Sequence, residues 1–225
     1  MRKLIDLTGT ISNGMWHYPD PFLVPKMRHT KRTADWGINS EFYVDEIHAS
    51  TLVGTYFETP AHFFKGTFTV DQWPVKEFIR EALLVKIPKS ACGAITLDEV
   101  RAYLTRQKLD IARGESVLFA TGWDGLWDKQ ERFVKESPYF DDHLIDWLLE
   151  REISLLGGDI PSFDNIRAAQ GFMPHLLRKG VVIVAPLVNL MCIPSPRIKL
   201  YLFPLKLKGA CASPCRVICE FESEH

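Results

Sequence analysis

The chain has 225 residues, 46% of them hydrophobic, enough to bury a substantial core as one large domain or two small ones. Lys and Arg total 27 against 28 Asp and Glu, and a net charge of −1 gives no electrostatic reason to expect nucleic acid or an anionic membrane as partner. No apolar run approaches the roughly 20 residues of a membrane span, and Met1-Arg2-Lys3-Leu4-Ile5-Asp6 meets an acid before any apolar core of a secretory signal. The five cysteines, Cys92, Cys192, Cys211, Cys215 and Cys219, are an odd number that cannot pair fully within one chain, so reduced thiols are expected. These features point to a cytoplasmic protein that acts on a small molecule.

In chain order, strand-type runs are predicted at residues 42–47, 83–87, 116–120, 153–156, 181–184 and 216–221. Several are apolar on both faces and therefore central. Thr96 and Glu99 form a capping box that opens a helix to about residue 107. Asp141 caps a second helix carrying Leu144, Ile145, Trp147, Leu148 and Leu149, and a third, weaker one follows Asp164. There is no repeat or low-complexity tract, and the 14 Gly and 14 Pro are scattered as turn punctuation, which favours a single domain. Strands separated by unequal connections, with three or four helices, indicate an α/β fold with a mixed sheet.

The segment best equipped for chemistry, on residue types alone, is Gly54-Thr55-Tyr56-Phe57-Glu58-Thr59-Pro60-Ala61-His62-Phe63. If residues 54–58 stay extended, alternation puts Tyr56 and Glu58 on one face. After a turn at Pro60, His62 can fold back beside them, giving a base, an orienting carboxylate and a hydroxyl donor, with Phe63 as an apolar substrate contact. A turn with an inert, hydrogen-bonded His explains the same spacing. A second segment, Gly157-Gly158-Asp159-Ile160-Pro161-Ser162-Phe163-Asp164, follows a strongly apolar strand, where α/β enzymes place ligand-contacting turns. There Asp159 and Ser162 are candidate substrate contacts, and helix capping by Ser162 or Asp164 is the competing explanation. Trp16, His17 and Tyr18 form an aromatic group suited to lining a pocket or to core packing, and His175 lies near a helix end. Cys211, Cys215 and Cys219 have even spacing interrupted by Pro214, so a zinc site is not expected there.

Taken in order, these pieces resemble the cyclase family of metal-dependent hydrolases, which includes kynurenine formamidases and isatin hydrolases. Ile5-Asp6-Leu7-Thr8 with Gly14-Met15, Thr121-Gly122-Trp123, Asp159-Ile160-Pro161-Ser162-Phe163-Asp164, and Phe203 to Gly209 followed by Ser213-Pro214-Cys215-Arg216 match its successive elements. The resemblance implies the family's swivelling β/β/α fold and assembly as a homodimer or homotetramer. The family signature H-x-G-T-H-x-D-x-P-x-H falls on residues 52–62. Leu52 and Tyr56 stand where it has ligand histidines, Glu58 where it has a ligand Asp, and His62 where it has the proton-transfer histidine. A second ligand set falls on Ala185 and near Met173, with His175 two residues away. The resemblance therefore implies a family fold without its catalytic metal and without another cofactor.

A bound zinc lowers the pKa of its water from about 15.7 to about 7, whereas a lone His base contributes only about 10² to 10⁴ in rate. That balance favours cyclisation, elimination, or hydrolysis of an activated ester or lactone, with His62 moving the proton, Glu58 orienting it and Tyr56 donating to the developing oxyanion. Three alternatives stand beside it. One is an arylformamidase-like hydrolase holding metal through Glu58, His62 and His175. The second is an inactive binding or scaffold homologue, in which Tyr56, Glu58 and His62 would be splayed apart or plugged. The third is that Tyr56 and Glu58 repack a vacated metal pocket beside an active site elsewhere.

Overall fold

The computed structural model describes residues 1–35 and 39–222. Its centre is a closed, mixed sheet of seven strands. β1 is Arg2–Asp6, and Lys26–Asp35 and Asn39–His48 form a hairpin, β2 and β3. Next come β4 (Tyr56–Glu58), β5 (Ile79–Lys86), β6 (Ala94–Ile95), α1 (Leu97–Gln107), β7 (Ser116–Ala120), α2 (Gln130–Lys135), β8 (Tyr139–Phe140), α3 (Asp142–Glu150), β9 (Leu155–Gly158), α4 (Phe172–Arg178), β10 (Val182–Ala185), β11 (Arg197–Pro204) and β12 (Ala212–Glu222). Strand order around the barrel is β12-β11-β5-β7-β9-β10-β4, and β4 returns to β12 to close the ring. β5, β7, β9 and β10 are mutually parallel, and the other pairings are antiparallel. β1 lies on β12 beyond β4, along the same edge.

β7, β9 and β10 are buried on both faces along their whole length, and β5 over Ala82 to Val85, as the apolar runs of parallel strands require. Leu84, Leu118, Leu155, Val182, Val184, Leu200 and Val217, with Phe57, form the barrel interior. Alternate residues such as Leu83, Val117, Phe119, Leu156 and Ile183 face the helices and pack with Leu104, Leu144, Leu148 and Leu176. β9 and its neighbours approach closely because Gly157 lacks a side chain: a Cβ there would stand 2.4 Å from Leu118 Cδ2 and 2.9 Å from Val184 O.

Both strong helix signals are realised. Thr96 accepts from Glu99 N while Glu99 accepts from Thr96 N, and Asp141 accepts from Leu144 N. The third helix begins at Phe172, well beyond Asp164, yet Asp164 still serves it by accepting from Gln170, Gly171 and Phe172 N. The strand expected at 153–156 starts at Leu155. Pro214 does not break β12: it faces Tyr56 across the pair with β4, and the strand continues to Glu222. Cys215 and Cys219 consequently point into the barrel, and all five cysteines are free thiols. No helix among the described residues is long and apolar enough to cross a membrane.

Candidate active site

β4 is only three residues long, but it sets the site. It is held on both sides: Tyr56 and Glu58 face Ala185 and Ile183 of β10, and Pro214 and Ala212 of β12. Strand alternation sends Phe57 into the barrel interior, where it meets Trp73 and Phe78, and sends Tyr56 and Glu58 to the outer face together. Gly54 makes the entry possible, since its φ of +61° lies in the left-handed region and a Cβ would stand 2.7 Å from Ile11 Cγ1. After β4, Thr59 donates to Cys211 O through both its N–H and its hydroxyl, at 2.9 and 3.0 Å. Pro60 then opens a 3₁₀ turn that carries His62 back over the strand.

The result is a cavity of about 120 Å³ against the outer face of β4 and β10. Tyr56, Glu58, His62 and Phe63 line it, as do Tyr18 and Ser162, six of the ten residues proposed from the sequence. Phe22, Leu52, Pro161, Phe163, Met173, Ile183 and Ala185 complete the wall. Phe22 gave no sequence signal, because it is remote in the chain and surrounded by turn residues. Cys211 is a further neighbour, with Sγ 3.6 Å from His62 Nδ1. Nothing in the sequence placed Cys211 beside His62, because the two are 149 positions apart.

The electrostatics of the cluster follow from burial. Glu58 is 2% exposed and its carboxyl makes no hydrogen bond among the described residues; desolvation pushes that carboxyl up to about 8, so it is protonated at neutral pH. His62 Nδ1 lies 3.9 Å from Glu58 Oε1, and burial pulls the imidazole below its usual value. A neutral His beside a neutral Glu is therefore the resting pair, not the charge-orienting carboxylate expected from the sequence. Both neighbours of His62 address Nδ1, and no hydrogen bond among the described residues engages Nε2. Tyr18 Oη is 2.5 Å from Pro161 O and 2.8 Å from Tyr56 Oη. A carbonyl only accepts, so Tyr18 donates to Pro161 and Tyr56 donates to Tyr18. Tyr56 thus cannot donate to an oxyanion in the cavity while this chain stands, which corrects the role expected for it.

The other four candidates lie elsewhere. Trp16 is 1% exposed and packs edge-on against Trp127 and Tyr18 and beside Phe133, as a core residue. His17 is exposed, with Nδ1 2.9 Å from Tyr18 O. His175 is exposed on α4, while Met173 two residues earlier takes the wall position. Asp159 accepts from Thr121 N, Thr121 Oγ1 and Gly122 N at 2.7 to 2.9 Å, which ties the end of β9 to the end of β7 instead of meeting a ligand. Burial raises its carboxyl to about 7 against the pull of those donors. Ser162 lines the cavity but also accepts from Asp164 N, so its capping and wall positions coexist.

A family model described as putative cyclase matches residues 5–165. The chain belongs to the cyclase family. Kynurenine formamidase of Bordetella petrii is 26% identical to this chain over 220 residues, covering 97% of this chain and 98% of the relative. The kynurenine formamidase of Geobacillus thermodenitrificans is 29% identical over 176 residues, covering 77% and 78%. Among solved structures, isatin hydrolase A from Ralstonia solanacearum superposes with a TM-score of 0.81 at 22% identity, covering 98% of this chain and 92% of that one. An isatin hydrolase bound to the product analogue thioisatinate gives a TM-score of 0.83 at 22% identity, over 99% and 93%.

The family's metal finds a poor donor set in this member. Leu52, Tyr56, Met173 and Ala185 occupy ligand positions of the family pattern or lie beside them, and all four line the cavity together with Glu58. Thioether, methyl and isobutyl groups do not bind a hard or borderline cation, and the Tyr56 phenol is held well above its ordinary pKa by burial. Glu58, His62 and, beside His62, the Cys211 thiol remain as donors, yet the described residues contain no group of three or more His, Cys, Asp or Glu placed to hold a metal ion. The residues present do not fit a catalytic metal site.

Proposed function

We propose that this cyclase-family member is a metal-independent enzyme that adds water to, or closes a ring at, the carbonyl of a small apolar compound such as an activated ester, lactone or cyclic amide. The observation that carries this is the convergence of Leu52, Tyr56, Glu58, Met173 and Ala185 on one cavity that still holds His62. The pocket is kept while its ligands are replaced, and Tyr56, Glu58 and His62 are gathered there, not splayed. The relatives named above are hydrolases of carbonyl compounds by their names, which supports the reaction class.

In this proposal neutral His62 takes a proton from water through Nε2, and the oxygen adds to the carbonyl carbon. The C=O electron pair moves to oxygen, which takes the proton of Glu58. Return of that proton to Glu58 re-forms the carbonyl, and the leaving oxygen or nitrogen departs with the proton held by His62, so both groups end as they began. A single base of this kind is worth about 10² to 10⁴ in rate, which suits an activated carbonyl better than a stable amide. The test is hydrolysis of a panel of lactones, aromatic lactams and N-formyl arylamines by protein dialysed against chelator, with metal content measured. Turnover that survives chelation and disappears in His62→Ala supports the proposal. Turnover that chelation abolishes and metal restores refutes it.

Self-association belongs to the same proposal. Among the described residues the β2–β3 hairpin pairs only with itself, and an isolated two-stranded hairpin is marginal in water. Ile47 at its base joins Phe203, Leu205, Leu207 and Pro214 around an apolar groove of about 490 Å³. A second copy of the chain supplies matching apolar cover for both, and light scattering should report at least a dimer.

A further inference from the structure

We propose that the cavity selects carbonyl compounds carrying an N–H or O–H donor, which the Tyr56 phenolic oxygen accepts, with Tyr18 as the positioning residue that fixes this polarity. The inference rests on the proposed carbonyl chemistry and names what distinguishes the substrates. Its basis is the direction of one hydrogen-bond chain. Tyr18 has one hydroxyl proton and stands 2.5 Å from Pro161 O, which has none to give. That proton is committed, and the 2.8 Å contact to Tyr56 needs a proton between the two oxygens, so Tyr56 supplies it. What Tyr56 then offers the cavity is a lone pair.

Burial reinforces the arrangement. Desolvation lifts both phenols, so neither loses its proton at any ordinary pH and the polarity is fixed. Two residues along the same strand face, Glu58 carries a proton with no partner among the described residues. The cavity therefore presents an acceptor at Tyr56 and a donor at Glu58, between the apolar walls of Phe22, Leu52, Phe63 and Met173. A ligand with a donor and a carbonyl on one edge of an apolar body satisfies both. A ligand with acceptors alone leaves the oxygen of the buried Tyr56 facing another lone pair.

The probes are 2-oxindole and N-methyl-2-oxindole, which share ring and carbonyl and differ in the N–H. Binding is measured by calorimetry to the full chain and to the Tyr18→Phe and Tyr56→Phe variants, with circular dichroism confirming the fold. The expected result is tighter binding of the N–H compound to the unmodified protein by about tenfold. In Tyr18→Phe the Tyr56 proton is released from the chain and can turn to the cavity, so the ratio falls to about one or inverts. In Tyr56→Phe, which provides the same reading if the first variant fails to fold, the preference is lost. A purely steric rejection of the methyl group would leave the ratio unchanged in both variants and overturn the proposal. Equal binding of the two probes by the unmodified protein overturns it alone, whereas binding of neither overturns it together with the carbonyl chemistry on which it rests.

Discussion

Replacing Glu58 by Gln should make the protein more stable than the parent at alkaline pH, although it removes a buried residue of the candidate site. Glu58 is almost fully buried with no hydrogen bond to its carboxyl among the described residues, and desolvation carries that carboxyl from an ordinary 4.5 to about 8. The folded chain therefore keeps this proton to a higher pH than the unfolded chain does. Below pH 4.5 both states are protonated and nothing is lost; from 4.5 to about 8 the unfolded state is favoured progressively, and above 8 the loss levels off. At about 1.4 kcal/mol per pH unit across that window, the ceiling is about 5 kcal/mol. The true figure is lower to the extent that His62, 3.9 Å away, gains a proton as Glu58 loses one. Gln has the same shape and does not titrate. Urea denaturation of both proteins between pH 4.5 and 8.5 isolates the difference, because all other groups are shared. The two should be about equally stable at pH 4.5, and the variant should lead by at least about 2 kcal/mol at pH 8.5. Parallel curves, separated by less than about 1 kcal/mol at every pH, would refute the burial argument.

For catalysis, the depressed His62 and the raised Glu58 imply a bell-shaped dependence of kcat/KM, with an acid limb below 6.5 and an alkaline limb near 8; Glu58→Gln should lose the alkaline limb, and its persistence would assign it to another group. Restoring the signature with Leu52→His, Tyr56→His and Glu58→Asp together should create a site that retains zinc through gel filtration, as elemental analysis would show; a triple variant that folds yet retains none would mean that more than the donors has changed. Asp159→Asn places an amide NH₂ against the Thr121 and Gly122 donors and should cost about 1 to 3 kcal/mol of stability with KM unchanged, whereas a rise in KM without loss of stability would return Asp159 to substrate binding. Gly54→Ala puts a Cβ against Ile11 at a left-handed backbone position and should cost about 1 to 3 kcal/mol in urea denaturation; a change within about 0.5 kcal/mol would show that the entry to β4 is not tight.

The parts of this molecule that could be read from sequence are those decided by local chemistry. The Thr96–Glu99 box and the Asp141 cap need only backbone N–H groups a few residues away, and both formed. The same holds for the turn that returns His62 to Glu58, because Pro60 and strand alternation act within seven residues. Placement across the chain was less legible. Asp159 and Trp16 carry ligand-type chemistry, but their surroundings come from β7 in one case and from Trp127 and Phe133 in the other. Closure of the barrel depends on three residues of β4 finding β12 some 150 positions later, and Pro214 tolerates that pairing without breaking the strand.

The protonation states were hidden for a related reason. Glu58 and His62 in sequence suggest an ion pair, yet charge on Glu58 needs water or donors, and the side chains that replaced the ligands at Leu52, Tyr56 and Ala185 supply neither. Tyr56 adds a phenol, but its proton is drawn away to Tyr18 and Pro161. No Lys or Arg among the described residues lines the cavity to stabilise an anion. In the proposed function the groups present therefore work as neutral donors and acceptors on a neutral carbonyl compound, and the polarity of hydrogen bonds governs the chemistry more than field strength.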